Sequence, residues 1–409
     1  MAQINRGLER ILAKYFGEGE ISKYKKLLSE SISKKEGITE TASKKQVAQK
    51  ISHVEKYQLT IDLIITFAKE KLTRNKFIEM LLHLGDISIS LGEHSAASNL
   101  FLYIVTEIKD EPDFENLKAH SFLSLGDIYS RQANWKKSIK YIKQAQKIFI
   151  KYKDLKGIAK CDNLIGTIEG EKGNLKRAKT RFEKSVSQLD IKKDNTLMGM
   201  LEINLGVLNN IQGNYDLALT YYQRALIRFE QMGDNRRLVE IRHNLGMLFS
   251  QKEEYEAALS EFDKSISLAM NLGYTPTLGL SYLSKAFIYT RLHDYLLAGA
   301  FADKAMEVCD RLNDRLSIAD IYKIKGIIER SLQNYESAEN YFLSSLRINQ
   351  DLENSLNEAE SYFELGLLYM EINNLKEAHK ALIASLKYYK KTGVLDMVKR
   401  IESLLWFSN

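Results

Sequence analysis

The sequence predicts an all-α chain built as an array of antiparallel helix pairs. Its main feature is a small residue that recurs at steps of 40 residues after a first step of 41, and we call these eight positions the ladder: Gly85, Gly126, Gly166, Gly206, Gly246, Ala286, Gly326 and Gly366. Residues that start helices recur at one fixed distance from the ladder, and strand-like alternation is absent. A constant period of this kind indicates one supersecondary unit stacked on copies of itself.

The unit around Gly206 illustrates the two helices of each pair. Its sequence predicts a first helix over 196–211 and a second over 215–232. Gly213 and Gly233 are placed to end these helices in the left-handed conformation, which glycine adopts without strain. Residues suited to start the second helix recur eight positions after the ladder: Glu93, Asn134, Asn174, Asn214, Glu254, Asp294, Asn334 and Asn374.

Three further positions of the second helix repeat with the ladder. Small residues stand twelve positions after it, at Ala97, Ser138, Ala178, Ala218, Ala258, Ala298, Ala338 and Ala378. Small residues also stand nineteen positions after it, at Ala145, Ser185, Ala225, Ser265, Ala305, Ser345 and Ser385. Large residues stand nine positions after it, at Trp135, Leu175, Tyr215, Tyr255, Tyr295, Tyr335 and Leu375. We expect the small residues to let two helix backbones approach while the large ones fill the gap near the turn.

This pattern closely resembles the tetratricopeptide repeat, over roughly 76–394. The residues that match best are Asn204, Leu205, Gly206, Asn214, Tyr215, Ala218, Tyr222 and Ala225. The family's usual unit has about 34 residues, so each helix here is longer by nearly a turn. The resemblance implies a right-handed superhelical solenoid whose inner wall is lined by the first helices. Forty-residue members of the family include polarity scaffolds, kinesin light chains and bacterial peptide-sensing regulators.

The pattern divides the chain into four segments. We expect an N-terminal helical segment over 1–38, a degenerate capping repeat over 39–75, eight helix pairs over 76–394 and a capping helix over 395–409. Within the capping repeat, helices are expected near 44–53 and 55–71. The apolar residues of the last segment have helical spacing and would close the uncovered face of the final unit. Alternatively, its terminal Trp-Phe dipeptide stays exposed and docks into another copy of the chain.

The charge distribution bears on a nucleic-acid partner. The chain has a net charge of +6, and residues 1–80 account for it with 16 Lys and Arg against 10 Asp and Glu. Lysines that could contribute to a basic face are Lys23, Lys25, Lys26, Lys34, Lys35, Lys44, Lys45 and Lys50. Residues 45–52 loosely resemble the first helix of a helix-turn-helix, but the recognition helix would be the mostly apolar 58–67. A solvated helix surface is the preferred interpretation.

The sequence offers no catalytic or metal site. Cys161 and Cys309 lie far apart without a CxxC motif, which fits free thiols in a reducing compartment. His83, His120 and His243 are a repeat or more apart, too distant to share a metal. No phosphate-binding loop, HExxH or nucleophile elbow is present, and neither a secretory signal nor a run of ~20 apolar residues is found. We therefore expect a cytoplasmic protein that is not an enzyme and needs no cofactor.

By analogy with the family, inner-wall side chains are expected two and six residues before the ladder, and one and five after it. With the neighbouring turns, this predicts a groove formed by Lys160, Asn163, Asn204, Asn210, Glu240, His243, Asn244, Gln251, Arg291, Asp320, Glu360 and Glu364. Asn204 and Asn244 stand where grooves of the family often carry an asparagine that binds a peptide backbone, because one amide both donates and accepts. The alternative is that these asparagines are solvated and idle. A clamp for a C-terminal carboxylate is not supported, since its basic positions hold Leu280 and Ser284.

Three functions follow as hypotheses. The first is an interaction scaffold that binds a peptide or helical segment of a partner protein in the groove. The second is a peptide-responsive regulator that uses the array as sensor and the N-terminal helices as effector, and the third is a nucleic-acid-associated protein. Asp320, Glu360, Glu364 and Glu371 form an apparently acidic stretch of wall, which would favour a basic or amphipathic partner segment. Self-association would use the terminal helices.

The register can be tested at Ala218. Replacing Ala218 by Leu should overpack the helix pair and lower the free energy of unfolding by about 1–3 kcal/mol. The same change at solvent-facing positions should be nearly neutral. An unchanged melting temperature for Ala218→Leu would contradict the register.

Overall fold

The structure is a computed structural model that describes residues 6–35, 53–108, 111–190, 193–392 and 394–407. These residues form α-helices joined by short turns, and no strand occurs among them. In chain order the elements are α1 (Arg6–Tyr15), α2 (Glu18–Lys35), α3 (His53–Lys71), α4 (Arg74–Ser90), α5 (His94–Ile108), a 3-10 turn (Pro112–Phe114), α6 (Glu115–Arg131), α7 (Trp135–Lys151), α8 (Leu155–Glu171), α9 (Leu175–Ser187), α10 (Asn195–Ile211), α11 (Tyr215–Met232), α12 (Asn235–Gln251), α13 (Tyr255–Leu272), α14 (Leu278–Arg291), α15 (Tyr295–Leu312), α16 (Arg315–Ser331), α17 (Tyr335–Asp351), α18 (Ser355–Glu371), α19 (Leu375–Thr392) and α20 (Leu395–Phe407). The predicted all-α solenoid of helix pairs is confirmed.

The chain divides into two packing units. The first comprises Met1–Ile128 and Lys137–Gly157, and the second comprises Tyr129–Lys136 and Ile158–Asn409. In the first unit α4 packs on α5, α1 on α4, and α2 on α3. In the second unit α10 pairs with α11, α12 with α13, α14 with α15, α16 with α17 and α18 with α19, and α20 packs on α19.

Each pair is packed where the ladder residue meets the residue sixteen positions later. A methyl group added at Gly206 would lie 2.5 Å from ring carbon Cε1 of Tyr222, and one added at Gly199 would lie 2.6 Å from the Phe229 ring. The contacts thus move backwards along α10 as they move forwards along α11, so the two helices are antiparallel. The same contact joins Gly85 to Phe101, Gly126 to Ile142, Gly166 to Phe182, Gly246 to Phe262, Gly326 to Phe342 and Gly366 to Leu382.

The sixth unit shows why its ladder position can hold alanine. The residue sixteen positions after Ala286 is Ala302, and both side chains are fully buried in one core cluster. A methyl group at the ladder is therefore accommodated because the partner side chain is itself only a methyl group. The Tyr289 and Phe301 rings pack against the same cluster.

The small residues expected in the second helices are buried as predicted. Every described residue twelve or nineteen positions after the ladder has 0% exposure. Most serines there have a hydrogen-bonded hydroxyl: Ser185 Oγ donates to the Ala159 carbonyl at 2.8 Å, and Ser265 Oγ donates to the Val239 carbonyl at 3.0 Å. The exception is the Ser385 hydroxyl, which is buried without a partner among the described residues. The residue nine positions after the ladder, such as Tyr215, is only partly buried. The space over the glycine is filled by the later ring instead.

Two of the predicted caps of the second helices act as expected. Asp294 Oδ1 accepts from Leu297 N at 3.0 Å, and Asn374 Oδ1 accepts from Glu377 N at 3.4 Å.

The asparagines before three other second helices act differently from the prediction. Asn214 is the N-cap residue of α11, but its side chain accepts no hydrogen bond from that helix. Its Nδ2 instead donates to Asn209 Oδ1 at 3.4 Å, near the end of α10. Asn174 and Asn334 donate in the same way to Glu169 and Glu329, both at 2.8 Å. These side chains therefore bind the preceding helix, while Gly213 makes the predicted left-handed turn with φ +77°.

A second contact between the two helices of a pair is charged in some units and aromatic in others. It joins the residue four positions before the ladder to the residue fifteen positions after it. Asp162 pairs with Arg181 at 2.7 Å, and Arg242 pairs with Glu261 at 3.1 Å with the signs exchanged. In other units two rings meet there, with centroid distances of 6.0 or 6.1 Å: Phe122 with Tyr141, Tyr282 with Phe301, and Tyr322 with Tyr341. This position accepts either kind of contact, unlike the ladder.

The ends of the described chain are packed on their neighbours. Tyr15 Oη lies 2.7 Å from His83 Nδ1, and Tyr24 Oη donates to the Thr60 carbonyl at 3.0 Å. In α20 Ile401 is fully buried, whereas Trp406 is 77% exposed. The helix expected near 44–53 and the lysines expected at positions 44, 45 and 50 fall almost wholly outside the described residues, as does residue 409. Within the described residues, no helix is long and apolar enough to cross a membrane.

The contact at the ladder gives a double-mutant test. Gly206→Ala should lower the free energy of unfolding by about 1–3 kcal/mol, because its methyl group overlaps the Tyr222 ring. In a Tyr222→Ala background, the same glycine change should cost nothing or stabilise, since alanine has the higher helix propensity. Urea unfolding of the four proteins measures the coupling.

The pair already present at Ala286 and Ala302 is the natural control for this cycle. Additive effects of the two changes at positions 206 and 222 would show that the ring and the glycine are not in contact.

Candidate functional site

The first helices of the second unit lie side by side: α10 packs on α12, α12 on α14, α14 on α16 and α16 on α18. Ser284 Oγ on α14 lies 3.3 Å from Met247 Sδ on α12, and His243 Nδ1 on α12 lies 3.1 Å from Ser281 Oγ on α14. Side chains of adjacent first helices therefore meet, although their distances from the ladder differ.

A pocket of about 660 Å³ lies between α10, α11 and α12. It collects four of the twelve predicted residues: Asn210, His243, Asn244 and Gln251. The other lining residues are mostly apolar or aromatic: Val207, Ile211, Gln212, Gly213, Tyr215, Tyr222 and Met247. The pocket therefore combines four polar residues of the predicted groove with apolar residues that were not predicted.

Four side-chain amides of the pocket make no hydrogen bond to any residue that the structure describes. They belong to Asn210, Gln212, Asn244 and Gln251, and the Asn210 amide oxygen is also buried without a partner in that part of the chain. Burying an amide oxygen without a hydrogen bond is unfavourable. A ligand that offers donors and acceptors would satisfy these groups, and a peptide backbone offers both.

Asn204 differs from Asn244 although both precede a Leu-Gly pair. Asn204 Nδ2 donates to Asn163 Oδ1 at 2.8 Å and lies 3.4 Å from Thr167 Oγ1. This bond joins α10 to α8, and Asn163 is buried. Lys160 lies one turn before Asn163 and is partly exposed. Asn204 thus bridges two repeats, while Asn244 faces the pocket.

Glu240 is held by two groups that the sequence analysis did not identify. Arg237 Nη1 donates to its Oε2 at 2.6 Å, and Tyr274 Oη donates to its Oε1 at 2.7 Å. Burial by itself would raise the pKa of Glu240, but Arg237 and the Tyr274 hydroxyl outweigh that effect and lower the pKa. Both carboxylate oxygens are therefore engaged inside the protein.

The expected acidic wall proves to be a set of ion pairs. Lys323 lies between Asp320, at 3.2 Å, and Glu360, with which it makes a short contact. Asn357 Nδ2 also donates to Asp320 Oδ1 at 3.1 Å. Burial raises the pKa of Asp320, and Lys323 opposes that rise. One lysine therefore bridges α16 and α18.

A second cluster follows one helical turn further on. Arg330 contacts Glu364 at 2.8 Å and Glu371 at 3.4 Å, again linking α16 to α18. The side chains of Arg330 and Glu364 are only 13% and 18% exposed. Attraction for a basic partner is weakened here, because the carboxylates already have cations within ion-pair distance.

Arg291 is the predicted residue with the most open surroundings. It is exposed at the end of α14, and its guanidinium carbon lies 5.3 Å from the centre of the Phe287 ring. No carboxylate among the described residues forms an ion pair with it. Phe287 is 40% exposed, so the stacked pair faces solvent.

Several residues of the wall were not predicted from the sequence, for two different reasons. Val207, Met247 and Phe287 each stand one position after the ladder, a position that the family analogy assigned to the wall, but their apolar character drew attention away from them. Lys323 and Arg330 stand three before and four after the ladder, where no repeat-wide pattern marks them. Only the stacking of α16 on α18 reveals their partners.

His243 is neutral over the physiological range. Burial lowers its pKa to about 4, and the nearby Glu240 carboxylate opposes this shift. Its ring lies 5.4 Å from the Phe262 ring, and its Nδ1 contacts Ser281. His243 thus belongs to the support of the pocket as well as to its lining.

Comparison with known proteins identifies the repeat. Residues 197–271, 278–351 and 317–391 match the family model of the tetratricopeptide repeat. The chain contains tetratricopeptide repeats. These matches fall on α10–α19, so the pocket and the ion-pair clusters are built from tetratricopeptide repeats. No curated protein sequence matches the chain.

Solved structures share the fold at low sequence identity. A Rap protein complexed with competence and sporulation factor is 11% identical, with a TM-score of 0.60 over 98% of this chain and 99% of that one. A Rap conjugation gene regulator of plasmid pLS20, in complex with the Phr* peptide, is 16% identical, with a TM-score of 0.54 over 85% and 88%. A signal-transduction ATPase from Pyrococcus horikoshii with a tetratricopeptide repeat sensor is 15% identical, with a TM-score of 0.50. The match covers 87% of this chain but spans only 56% of that protein.

The buried histidine predicts an acid-sensitive stability. Between pH 6.5 and about 4 the unfolded chain binds a proton at residue 243 that the folded chain does not, so stability present above pH 6.5 is lost as the pH falls through this window. His243→Gln should therefore show a shallower loss of unfolding free energy between pH 7 and pH 5. Urea titrations at each pH measure the slope.

His293→Gln is the control, because it removes an exposed histidine from the same unit. Equal slopes for the wild-type protein and His243→Gln would refute the assignment of this acid sensitivity to His243.

Proposed function

We propose that the chain is a non-catalytic cytoplasmic adaptor that binds an extended peptide segment of a partner protein along the wall formed by α10, α12 and α14. The observation that carries this proposal is the pocket in which Asn210, Asn244 and Gln251 present unpaired amides above an apolar floor. Each amide can accept from a peptide N–H and donate to a peptide carbonyl. The floor offers contacts to the side chains of the same segment.

The geometry of the wall favours an extended ligand over a compact one. Residues at equivalent ladder distances repeat from helix to helix, and packed helices lie roughly 8–10 Å apart. An extended chain advances about 3.3 Å per residue, so every third residue of a bound peptide meets the next helix. The Rap structures with competence and sporulation factor and with the Phr* peptide share the fold, and they support a peptide ligand by analogy.

The proposal is tested with a random peptide library captured on the full-length chain. Selected peptides should bind Asn244→Ala roughly tenfold more weakly than the wild-type protein, because a backbone hydrogen bond is lost. Isothermal titration calorimetry measures the affinities. Asn340→Ala, at an exposed position of α17, is the matched control and should bind normally.

Two results would count against this function. The first is a library in which no peptide is enriched on the wild-type chain. The second is a set of selected peptides whose affinities are the same for Asn244→Ala and Asn340→Ala, which would place the binding surface elsewhere.

A peptide-responsive regulator is the second candidate. It is favoured by the separate contacts that attach α1 and α2 within the first unit, through Tyr15 with His83 and Tyr24 with Thr60. A regulator should change shape when a selected peptide binds, whereas an adaptor need not. Small-angle scattering with and without that peptide separates the two, and an unchanged radius of gyration would remove the regulator.

A further inference from the structure

We propose that Arg291 recognises an acidic side chain, Asp or Glu, inside the bound partner segment. The inference rests on the proposed peptide-binding function and adds a charge requirement to it. The groove would then bind an acidic segment with an adjacent apolar residue, whereas the sequence alone favoured a basic partner.

The first reason is the unsatisfied charge of Arg291. Other cations of the wall are paired within the protein: Arg237 with Glu240, Lys323 with Asp320 and Glu360, and Arg330 with Glu364 and Glu371. Arg291 has no ion pair with a described carboxylate, and its contact is the Phe287 ring. The exposed guanidinium of Arg291 is therefore available to a carboxylate of a partner.

The second reason is the absence of charge at the equivalent positions on the two adjacent first helices. Arg291 stands five positions after the ladder, and the same position holds Gln251 on α12 and Ser331 on α16. Gln251 lines the pocket, and α12 contacts α14 through Met247 and Ser284. Arg291 follows Ser284 by seven residues on α14, and Gln251 follows Met247 by four residues on α12, so both lie C-terminal to the contact that joins the two helices.

The third reason is the support that Phe287 gives to the guanidinium. A planar guanidinium stacked on an aromatic ring keeps its edge N–H groups available, and it loses less freedom when it binds. Those N–H groups match the two oxygens of a carboxylate and form paired, charge-assisted hydrogen bonds. Phe287 is itself 40% exposed, so an apolar side chain next to the acidic one can pack on it.

The helices that follow α14 favour an acidic side chain over a chain terminus. Helix α16 packs on α14, and α18 packs on α16. The wall therefore continues beyond Arg291, so the bound segment is not required to end there.

The experiment uses peptide libraries whose members are acetylated and amidated, so that the only carboxylates are side chains. Wild-type chain should enrich Asp or Glu at one position next to an apolar residue. Replacing that acid by Gln or Asn in a selected peptide should weaken binding roughly tenfold to a hundredfold, the loss of one charge-assisted contact. A free C-terminal carboxylate added to the neutral peptide should not restore the affinity.

Variants of the protein identify the residue responsible. Arg291→Gln should bind acidic and neutral peptides equally, and Arg291→Glu should enrich Lys or Arg at the position where the wild-type chain enriched an acid. Arg311→Gln, which removes an exposed arginine from α15, should keep the acidic preference. Thermal melts that match the wild-type protein establish that the variants are folded.

The outcomes distinguish the two proposals. Enriched peptides without an acidic position, or an acidic preference that persists in Arg291→Gln, would overturn the role of Arg291 and leave the groove intact. Restoration of binding by the free C-terminus would also overturn it, because the ligand would then be a chain end. A wild-type chain that enriches no peptide would overturn the inference together with the proposed function.

Discussion

The structure depends on one contact, between a residue without a side chain on the first helix and a ring or branched side chain on the second. At Gly206 the Tyr222 ring occupies the space that any side chain would need. This contact sets the distance between the two backbones and their crossing, and the buried alanines and serines of the second helix keep that distance short. The Ala286 and Ala302 pair shows that the ladder position accepts a methyl group where its partner on the second helix is also small.

The wall follows from this packing because identical pairs stack with their first helices adjacent. Side chains of adjacent first helices then meet across repeats, and this brings Ser284 to Met247 and Arg330 to Glu364. The position that pairs Asp162 with Arg181 accepts aromatic stacks in other units. The fold therefore conserves its geometry at the ladder while the chemistry of the wall varies freely from repeat to repeat.

Sequence reasoning succeeded where the signal was local and repeated. The bounds of α11 agree with the predicted 215–232, because a left-handed glycine and a periodic apolar face act within one helix. It was less reliable for polar side chains. Asp320, Glu360 and Glu364 suggested an open acidic wall, and Asn204 seemed equivalent to Asn244. Their actual states depend on Lys323, Arg330 and Asn163, which come close only when separate repeats pack.

The sequence by itself determined the all-α class, the forty-residue unit and the positions of the helices, and it suggested the wall of first helices as a binding surface. These follow from backbone geometry and burial within a single unit, which the period repeats. Tertiary structure alone decided which polar groups of that surface are satisfied and which remain for a ligand. Pairing of charges and amides across helices is non-local, because it depends on whether residues about forty positions apart come into contact when the repeats pack. That is why Asn244 and Arg291 stand apart from side chains of the same type along the wall.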